Sequence, residues 1–147
     1  MKRHLNILIA IVMLFGILAT TARAQMTGGQ RLIANIPFAF YVGGKTLPAG
    51  RYTITILNST SDRQLLQLRS VDGRSTAIVV TIRVNGKVSE KTRLAFRRYG
   101  DQYFFGHAQL SGDQITLAAF KSRAERAQER AIGAQKNSVL TIVTEER

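Results

Sequence analysis

The segment QLLQLRSVDGRSTAIVVTIRVNGKV, residues 64–88, carries the patterns that decide the fold. In its second half, apolar and polar side chains alternate with the period of a β-strand. The apolar residues Ile78, Val80, Ile82 and Val84 are expected on one side of the strand, and the polar residues Thr81 and Arg83 are expected on the other. Such alternation is typical of an antiparallel sheet with one covered and one solvated face.

Two-residue turn signals divide this segment and recur after it. They are Asp72-Gly73, Asn85-Gly86, Gly100-Asp101 and Gly112-Asp113. Such pairs tolerate the positive φ angles of tight hairpins, so each predicts a reversal between antiparallel strands. The sequence therefore predicts an all-β protein, an antiparallel meander that forms a small β-sandwich or barrel. Strand pairing beyond neighbouring hairpins leaves no local trace, and both architectures stay open at this point.

The stretch GGKTLPAG, residues 43–50, raises the question of a phosphate-binding loop. Such a loop leads into a helix, whose N-terminus faces the anion. Here Tyr52, Ile54 and Ile56 follow and alternate with threonines, which predicts a strand. We therefore interpret the stretch as a corner, with a reversal at Gly43-Gly44 and a turn at Pro48-Ala49-Gly50.

One segment near the C-terminus departs from the β pattern. A short surface helix is predicted over about 122–132, with Ser122 and Glu125 at capping-box spacing. Ala124, Ala127 and Ala131 give this helix a thin apolar face that is expected to lie on the sheet. A β-prone run over about 138–144 would return the chain to the sheet.

The N-terminus has the organisation of a secretory signal. Lys2 and Arg3 precede an apolar run, and Ala22-Arg23-Ala24 follows it as a small-x-small cleavage pattern. We predict a signal peptide over 1–24 and a single β domain over 25–147. The domain would be exported, to the periplasm or the medium, with no membrane span after cleavage. An uncleaved anchor is the alternative, although the run is shorter than the roughly 20 residues that cross a bilayer.

The charge of the domain is strongly positive. The chain carries a net +12, and removal of Lys2, Arg3 and Arg23 with the signal peptide would leave +9. Such a domain attracts polyanions, of which export favours an anionic envelope lipid or polysaccharide over nucleic acid. The absence of cysteine excludes disulfides and thiolate chemistry.

Few residues in the domain suit catalysis or metal binding. His107 is its only histidine, and the aspartates at 72, 101 and 113 are each explained by a turn. No His or carboxylate residues show ligand spacing on one element. We therefore predict a protein that is not an enzyme and holds no cofactor, no metal and no catalytic residue.

The segment KTRLAFRRYGDQYFFGH, residues 91–107, combines basic and aromatic residues. A sheet can use such a mixture to hold an anionic or ring-containing partner. The candidate binding residues are Arg83, Arg93, Arg97, Tyr99 and Tyr103. The alternative interpretation is a solvated arginine face with the aromatic rings packed in the core.

Three motifs together resemble a family of small exported acidobacterial proteins: IPFAFYVGGKTLPAGRYTI, LAFRRYGDQYFF and SRAERA. The resemblance covers most of the predicted domain, with the motifs in the expected order. It implies export and a compact β domain with a short helix late in the chain. It carries no catalytic residue.

Two hypotheses for function follow from these patterns. The first is a non-enzymatic envelope protein that binds something anionic through its basic sheet face. The second is a small barrel that carries an apolar ligand, for which five rings are available: Phe38, Phe40, Phe96, Phe104 and Phe105. The alternative to the second is that these rings simply fill the core.

Overall fold

The computed structural model describes residues 31–58, 62–132 and 138–143, so the predicted signal peptide at 1–24 lies outside the described residues. The described strands are β1 (Arg31–Ile36), β2 (Phe40–Val42), β3 (Lys45–Leu47), β4 (Gly50–Ile56), β5 (Arg63–Ser70), β6 (Thr76–Asn85), β7 (Arg93–Tyr99), β8 (Gln102–Gln109), β9 (Ile115–Ala119) and β10 (Ser138–Val143). The helix α1 (Arg123–Ile132) lies between β9 and β10. The prediction of an all-β fold with one short C-terminal helix is confirmed.

All of these strands belong to one sheet. Its path runs β1-β4-β5-β6-β9-β8, and β7 then joins β8 to β10. The short β2–β3 hairpin attaches to β8 by a parallel pairing of Tyr41 with Phe104, whereas the other pairings are antiparallel. β1 and β10, at the two ends of the path, approach within 8 Å between Cα atoms.

Three of the four predicted turns join paired strands. Asp72-Gly73 connects β5 to β6, Gly100-Asp101 connects β7 to β8, and Gly112-Asp113 lies between β8 and β9. The glycines of these turns have φ angles of 76°, 60° and 74°. This is the left-handed region, which glycine enters at little cost.

The fourth predicted turn, Asn85-Gly86, is not a hairpin. β6 pairs with β9 rather than with β7, and Gly86 is not among the positive-φ residues. Its N–H instead donates to the carbonyl of Gln114 at 2.8 Å, which prolongs the pairing of β6 with β9. Ser89, in the crossing segment 86–92, accepts a hydrogen bond from the Gly112 N–H at 2.8 Å. The simple meander is therefore interrupted here by a non-local pairing.

The core follows the predicted alternation in β4, and β7 shows the same pattern. Tyr52 and Ile54 are buried in β4, and Leu94 and Phe96 are buried in β7. β6 also alternates, but the sides are reversed from the prediction. Its apolar residues Ile78, Val80 and Val84 are between 42% and 48% exposed, whereas Thr81 is fully buried.

Two interactions explain why β6 turns its threonine inward. The hydroxyl of Thr81 donates to the carbonyl of Gln64 at 3.0 Å, which satisfies its hydrogen-bonding need inside the sheet. Thr81 also pairs with the buried Ala119 of β9, and residues paired across strands share a face. The register with β9 thus decides which face is covered.

The corner at 43–50 is a structural turn, as predicted. Gly43 and Gly44, with φ angles of 56° and 78°, reverse the chain between β2 and β3. The segment then leads into β4 and not into a helix. The Tyr52 hydroxyl donates to the carbonyl of Pro48 at 2.6 Å, which fixes the turn between β3 and β4.

The helix α1 matches its predicted bounds, but not its predicted face. The Glu125 N–H donates to the Ser122 hydroxyl at 3.1 Å, which is half of a capping box. Ala124, Ala127 and Ala131 are exposed, and Glu125 is the buried residue of the helix. The predicted alanine contact face is therefore wrong, because an ion pair described below draws the opposite side of the helix to the sheet.

We found no helix in the described ranges that is both long and apolar enough to cross a membrane.

Candidate functional site

The predicted basic face does not lie on one side of the sheet. Arg83 pairs with Leu117, which is in register with Ala108 and, through it, with Leu94. Arg93 is the chain neighbour of Leu94 and points to the opposite side, because successive residues of a strand alternate between faces. Arg83 and Arg93 are both exposed, but on opposite faces.

The other three predicted residues are engaged in packing or ion pairing. Tyr103 is partly buried and stacks on Phe38, with ring centroids 4.0 Å apart. The guanidinium of Arg98 lies 5.6 Å from the centroid of the Tyr103 ring. Arg97 and Tyr99 come together, but around a carboxylate of the protein itself.

This carboxylate belongs to Glu125 of α1. Arg97 donates to it through two nitrogens: Nε to Oε1, and Nη2 to Oε2 at 3.0 Å. The Tyr99 hydroxyl also donates to Oε1, at 3.1 Å. Only 2% of the Glu125 side chain is exposed, against 20% for Arg97. A buried carboxylate needs such partners, and the fork geometry of arginine supplies two of them at once.

Position in the sheet explains why these groups meet. Arg97 and Tyr99 lie two residues apart on β7, so they point to the same face of the strand. Ser122 caps α1 so that Glu125 falls in its first turn, directed at β7. Burial, and next the Glu125 carboxylate, raises the pKa of Tyr99 above its usual value, so the phenol stays a donor.

Beside this cluster, a cavity of about 660 Å³ separates α1 from the sheet. Its sheet wall comprises the turn at Gly43-Gly44 with residues of β2, β6, β8 and β9, and its helix wall comprises residues of α1. Val42, Phe105 and Glu125 are buried and form the floor, whereas Phe120 and Arg130 are exposed at the rim. The cavity therefore runs from the interior to the surface.

Aromatic and small apolar side chains make most of the wall. Tyr41 stacks on Phe104, with centroids 4.7 Å apart and planes 15° from parallel. Phe120 lines the cavity and is 54% exposed, although it is one of the largest apolar residues in the chain. Of the five rings considered for a ligand cavity, Phe104 and Phe105 line this one, and Phe40 and Phe96 are buried in the core.

Two cations stand at the helix side of the cavity. Arg123 and Arg130 line it, seven residues or about two turns apart on α1, and both are exposed. The side chain of Arg123 makes no hydrogen bond or ion pair to another residue in the described part of the chain. Arg130 donates from Nε to the carbonyl of Arg126 at 3.2 Å. The wall is thus apolar with a positively charged rim.

The one histidine of the described residues offers no obvious chemistry. His107 is half-buried in β8, paired with Ala95 on one side and Ala118 on the other. Burial, and next the nearby Arg97, lowers its pKa, so the ring is neutral at neutral pH. In the described ranges, no three His, Asp or Glu residues lie together in a group that could hold a metal ion.

Sequence reasoning missed Glu125 and the cavity. Glu125 was noted only as a capping residue, and the capping hydrogen bond involves its backbone rather than its carboxylate. One signal was available: α1 has no long apolar side chain before Ile132, so alanines alone would have to anchor it. A polar anchor was therefore to be expected, and Arg97 and Tyr99 were already candidates.

Comparison with known proteins adds no identification. The chain matches no protein-family model, and no curated protein or solved structure is significantly similar to it.

Proposed function

We propose that the protein is a non-enzymatic carrier that binds a small apolar molecule in the cavity between α1 and the sheet. The observation that carries this proposal is the cavity itself, with its volume of about 660 Å³ and its aromatic lining. Small-molecule sites in proteins typically enclose about 300–1,000 Å³ and are lined mostly by apolar side chains.

An exposed aromatic ring at the rim of the cavity favours a ligand-binding site over a void left by imperfect packing. Phe120 is held at the cavity with about half of its surface in contact with water. A bound apolar molecule would cover this ring and the Tyr41–Phe104 stack, at a gain of about 25 cal/mol per Å² of apolar surface removed from water. The Glu125–Arg97 pair would hold α1, which forms the helix wall of the cavity, in place against the sheet.

This geometry favours the carrier over an anion-binding sheet face. The arginines expected to form that face are divided between two sides of the sheet, and Arg97 is paired with Glu125. The N-terminal signal pattern and the three family-like motifs support a place of action outside the cytoplasm. On this proposal, the ligand is met in the periplasm or the medium.

A matched pair of helix variants tests the proposal. Ala127 lines the cavity, whereas Ala131, one turn later on the same helix and also exposed, does not. Ala127→Trp is expected to weaken binding of the neutral apolar fluorophore N-phenyl-1-naphthylamine by about tenfold or more, because the indole would occupy the cavity. Ala131→Trp makes the same change in side chain and is expected to leave binding unchanged.

Fluorophore titration of the purified wild-type protein and both variants gives the answer, with circular dichroism to establish that each is folded. Absence of saturable binding to the wild-type protein would contradict the proposal. Equal effects of the two tryptophans would contradict it as well, because the binding site would then lie elsewhere.

A further inference from the structure

We infer that the ligand of this cavity is a single-chain amphiphile with an anionic head group. The inference rests on the proposed function and adds to it the chemical class of the ligand. It is carried by the charges around the cavity and by how each of them is paired.

Among the described residues, one carboxylate lies in the cavity wall, and it is already neutralised. Glu125 is held by the Arg97 guanidinium and by the Tyr99 hydroxyl, with 2% of its side chain exposed. A second helix carboxylate, Glu129, is paired with Lys121, whose Nζ lies 2.6 Å from Oε1. The side-chain hydrogen bond that Lys121 donates to Glu129 is the main cause of the raised pKa of Lys121, which keeps this ammonium charged. Both carboxylates of α1 are thus paired with cations that lie outside the helix, Arg97 and Lys121.

The cations of the cavity have no comparable partner. Arg123 and Arg130 line the cavity from α1, and no carboxylate of the described residues pairs with either. Both side chains are exposed at the rim, and the buried floor is apolar around the paired Glu125. A ligand that complements this distribution has an apolar chain at the buried floor and a negatively charged group at the rim.

The size of the cavity limits the apolar part. A volume of about 660 Å³ accommodates one alkyl chain of moderate length, and Arg123 and Arg130 in the lining are placed to contact its head group. A fatty-acid carboxylate has this chemistry. Guanidinium groups bind carboxylates with two parallel hydrogen bonds, so arginine suits such a head group better than lysine would.

The test compares two ligands of the same chain length, one with an anionic and one with a neutral head group. Dodecanoate and dodecanol have the same chain, and their binding to the purified protein is measured by competition with the neutral fluorophore, below the concentrations at which they aggregate. Wild-type protein is expected to bind dodecanoate about tenfold more tightly than dodecanol, as two partly exposed charge pairs would give. The double variant Arg123→Gln, Arg130→Gln is expected to lose this preference and to keep its affinity for dodecanol.

Arg126→Gln is the control for the loss of one positive charge, and it is compared with the single variants Arg123→Gln and Arg130→Gln. Arg126 lies on the same helix and is exposed, but it does not line the cavity. It is expected to retain most of the preference for dodecanoate. Equal loss of preference in Arg126→Gln would overturn the inference, because the effect would then come from general positive charge.

The remaining outcomes separate the two proposals. If both ligands bind wild-type protein equally and Ala127→Trp blocks both, the inference is wrong and the carrier function stands. If the fluorophore binds saturably but neither ligand displaces it, the inference is wrong and the carrier function stands. If the fluorophore itself does not bind saturably, the carrier function is wrong and the inference fails with it. Arginine-dependent binding to vesicles of anionic phospholipid without binding of dodecanoate would also overturn the inference, in favour of a membrane surface.

Discussion

The Glu125 carboxylate of α1 is held by the Arg97 guanidinium of β7 in a two-point ion pair, across a separation of 28 residues in the chain. The Tyr99 hydroxyl, on the same face of β7, donates to the same carboxylate. The alanines of α1 are exposed and do not pack on the sheet, so the hydrogen bonds to Glu125 hold the helix against β7. They also fix one wall of the cavity.

Glu125→Gln is expected to destabilise the protein strongly. The amide keeps the shape of the side chain but removes its charge, and Arg97 is left mostly buried without its counter-charge. We expect a loss of about 3 kcal/mol in the free energy of unfolding, measured by urea denaturation. Glu129→Gln, which breaks the more exposed pair with Lys121, should cost less than about 1 kcal/mol. Equal losses would mean that Glu125 does not anchor the helix.

Gly43 and Gly44 provide a test of how closely the β2–β3 turn packs against β6. Both have positive φ, so alanine at either position costs about 1 kcal/mol in backbone strain. A Cβ at Gly43 would also lie 2.1 Å from the carbonyl oxygen of Ile78, whereas a Cβ at Gly44 meets no atom within 4 Å.

Gly43→Ala is therefore expected to lower the free energy of unfolding by at least about 1 kcal/mol more than Gly44→Ala. Because Gly43 lines the cavity, its variant should also weaken fluorophore binding. Chemical denaturation and titration of the two variants make the comparison. If they behave alike, the turn does not pack on β6 as described.

Gln64 is a polar residue at a buried position where an apolar residue should stabilise the fold more. It is 5% exposed, and its Oε1 has no hydrogen-bond partner in the described part of the structure. Gln64→Met keeps the length of the side chain and removes the unsatisfied oxygen, so we expect a gain of about 1 kcal/mol in stability. Gln67→Met, at a partly buried position of the same strand, is the control and should change stability little. Thermal or urea unfolding that showed Gln64→Met to be destabilising would indicate a partner for this amide.

His107 should make the fold sensitive to mild acid. Burial, and next the charge of Arg97, lowers its pKa below the ordinary value of 6.5, so the unfolded chain binds the proton more readily than the folded one. Stability from this group is therefore complete above about pH 6.5 and is lost as the pH falls toward the lowered pKa. His107→Gln removes this titration and should flatten the pH dependence of urea unfolding between about pH 5 and about pH 7. An unchanged slope in the variant would assign the acid sensitivity to other groups.

The parts of the fold that the sequence predicted are those with a local cause. The hairpins at Gly73, Gly100 and Gly112 follow from backbone angles that few other residues adopt. The burial of Tyr52 and Ile54 follows from alternation within a single strand. The capping of α1 by Ser122 likewise depends on neighbours within one helical turn.

The parts that it did not predict depend on distant partners. Asn85-Gly86 has the composition of a hairpin, yet β6 pairs with β9, about thirty residues later, and this register decides which face of β6 is buried. Glu125 looked like a surface residue because Arg97 and Tyr99 lie far away in sequence. The cavity exists only where α1 meets the sheet, and so it has no signature in any single segment.

The most direct test of the carrier proposal is native mass spectrometry of the protein isolated from its own host at low salt. We predict a discrete added mass of a small apolar or amphiphilic molecule that survives desalting. It should be lost in Ala127→Trp and retained in Ala131→Trp. A bare chain mass for the wild-type protein, or the same added mass in both variants, would contradict the account.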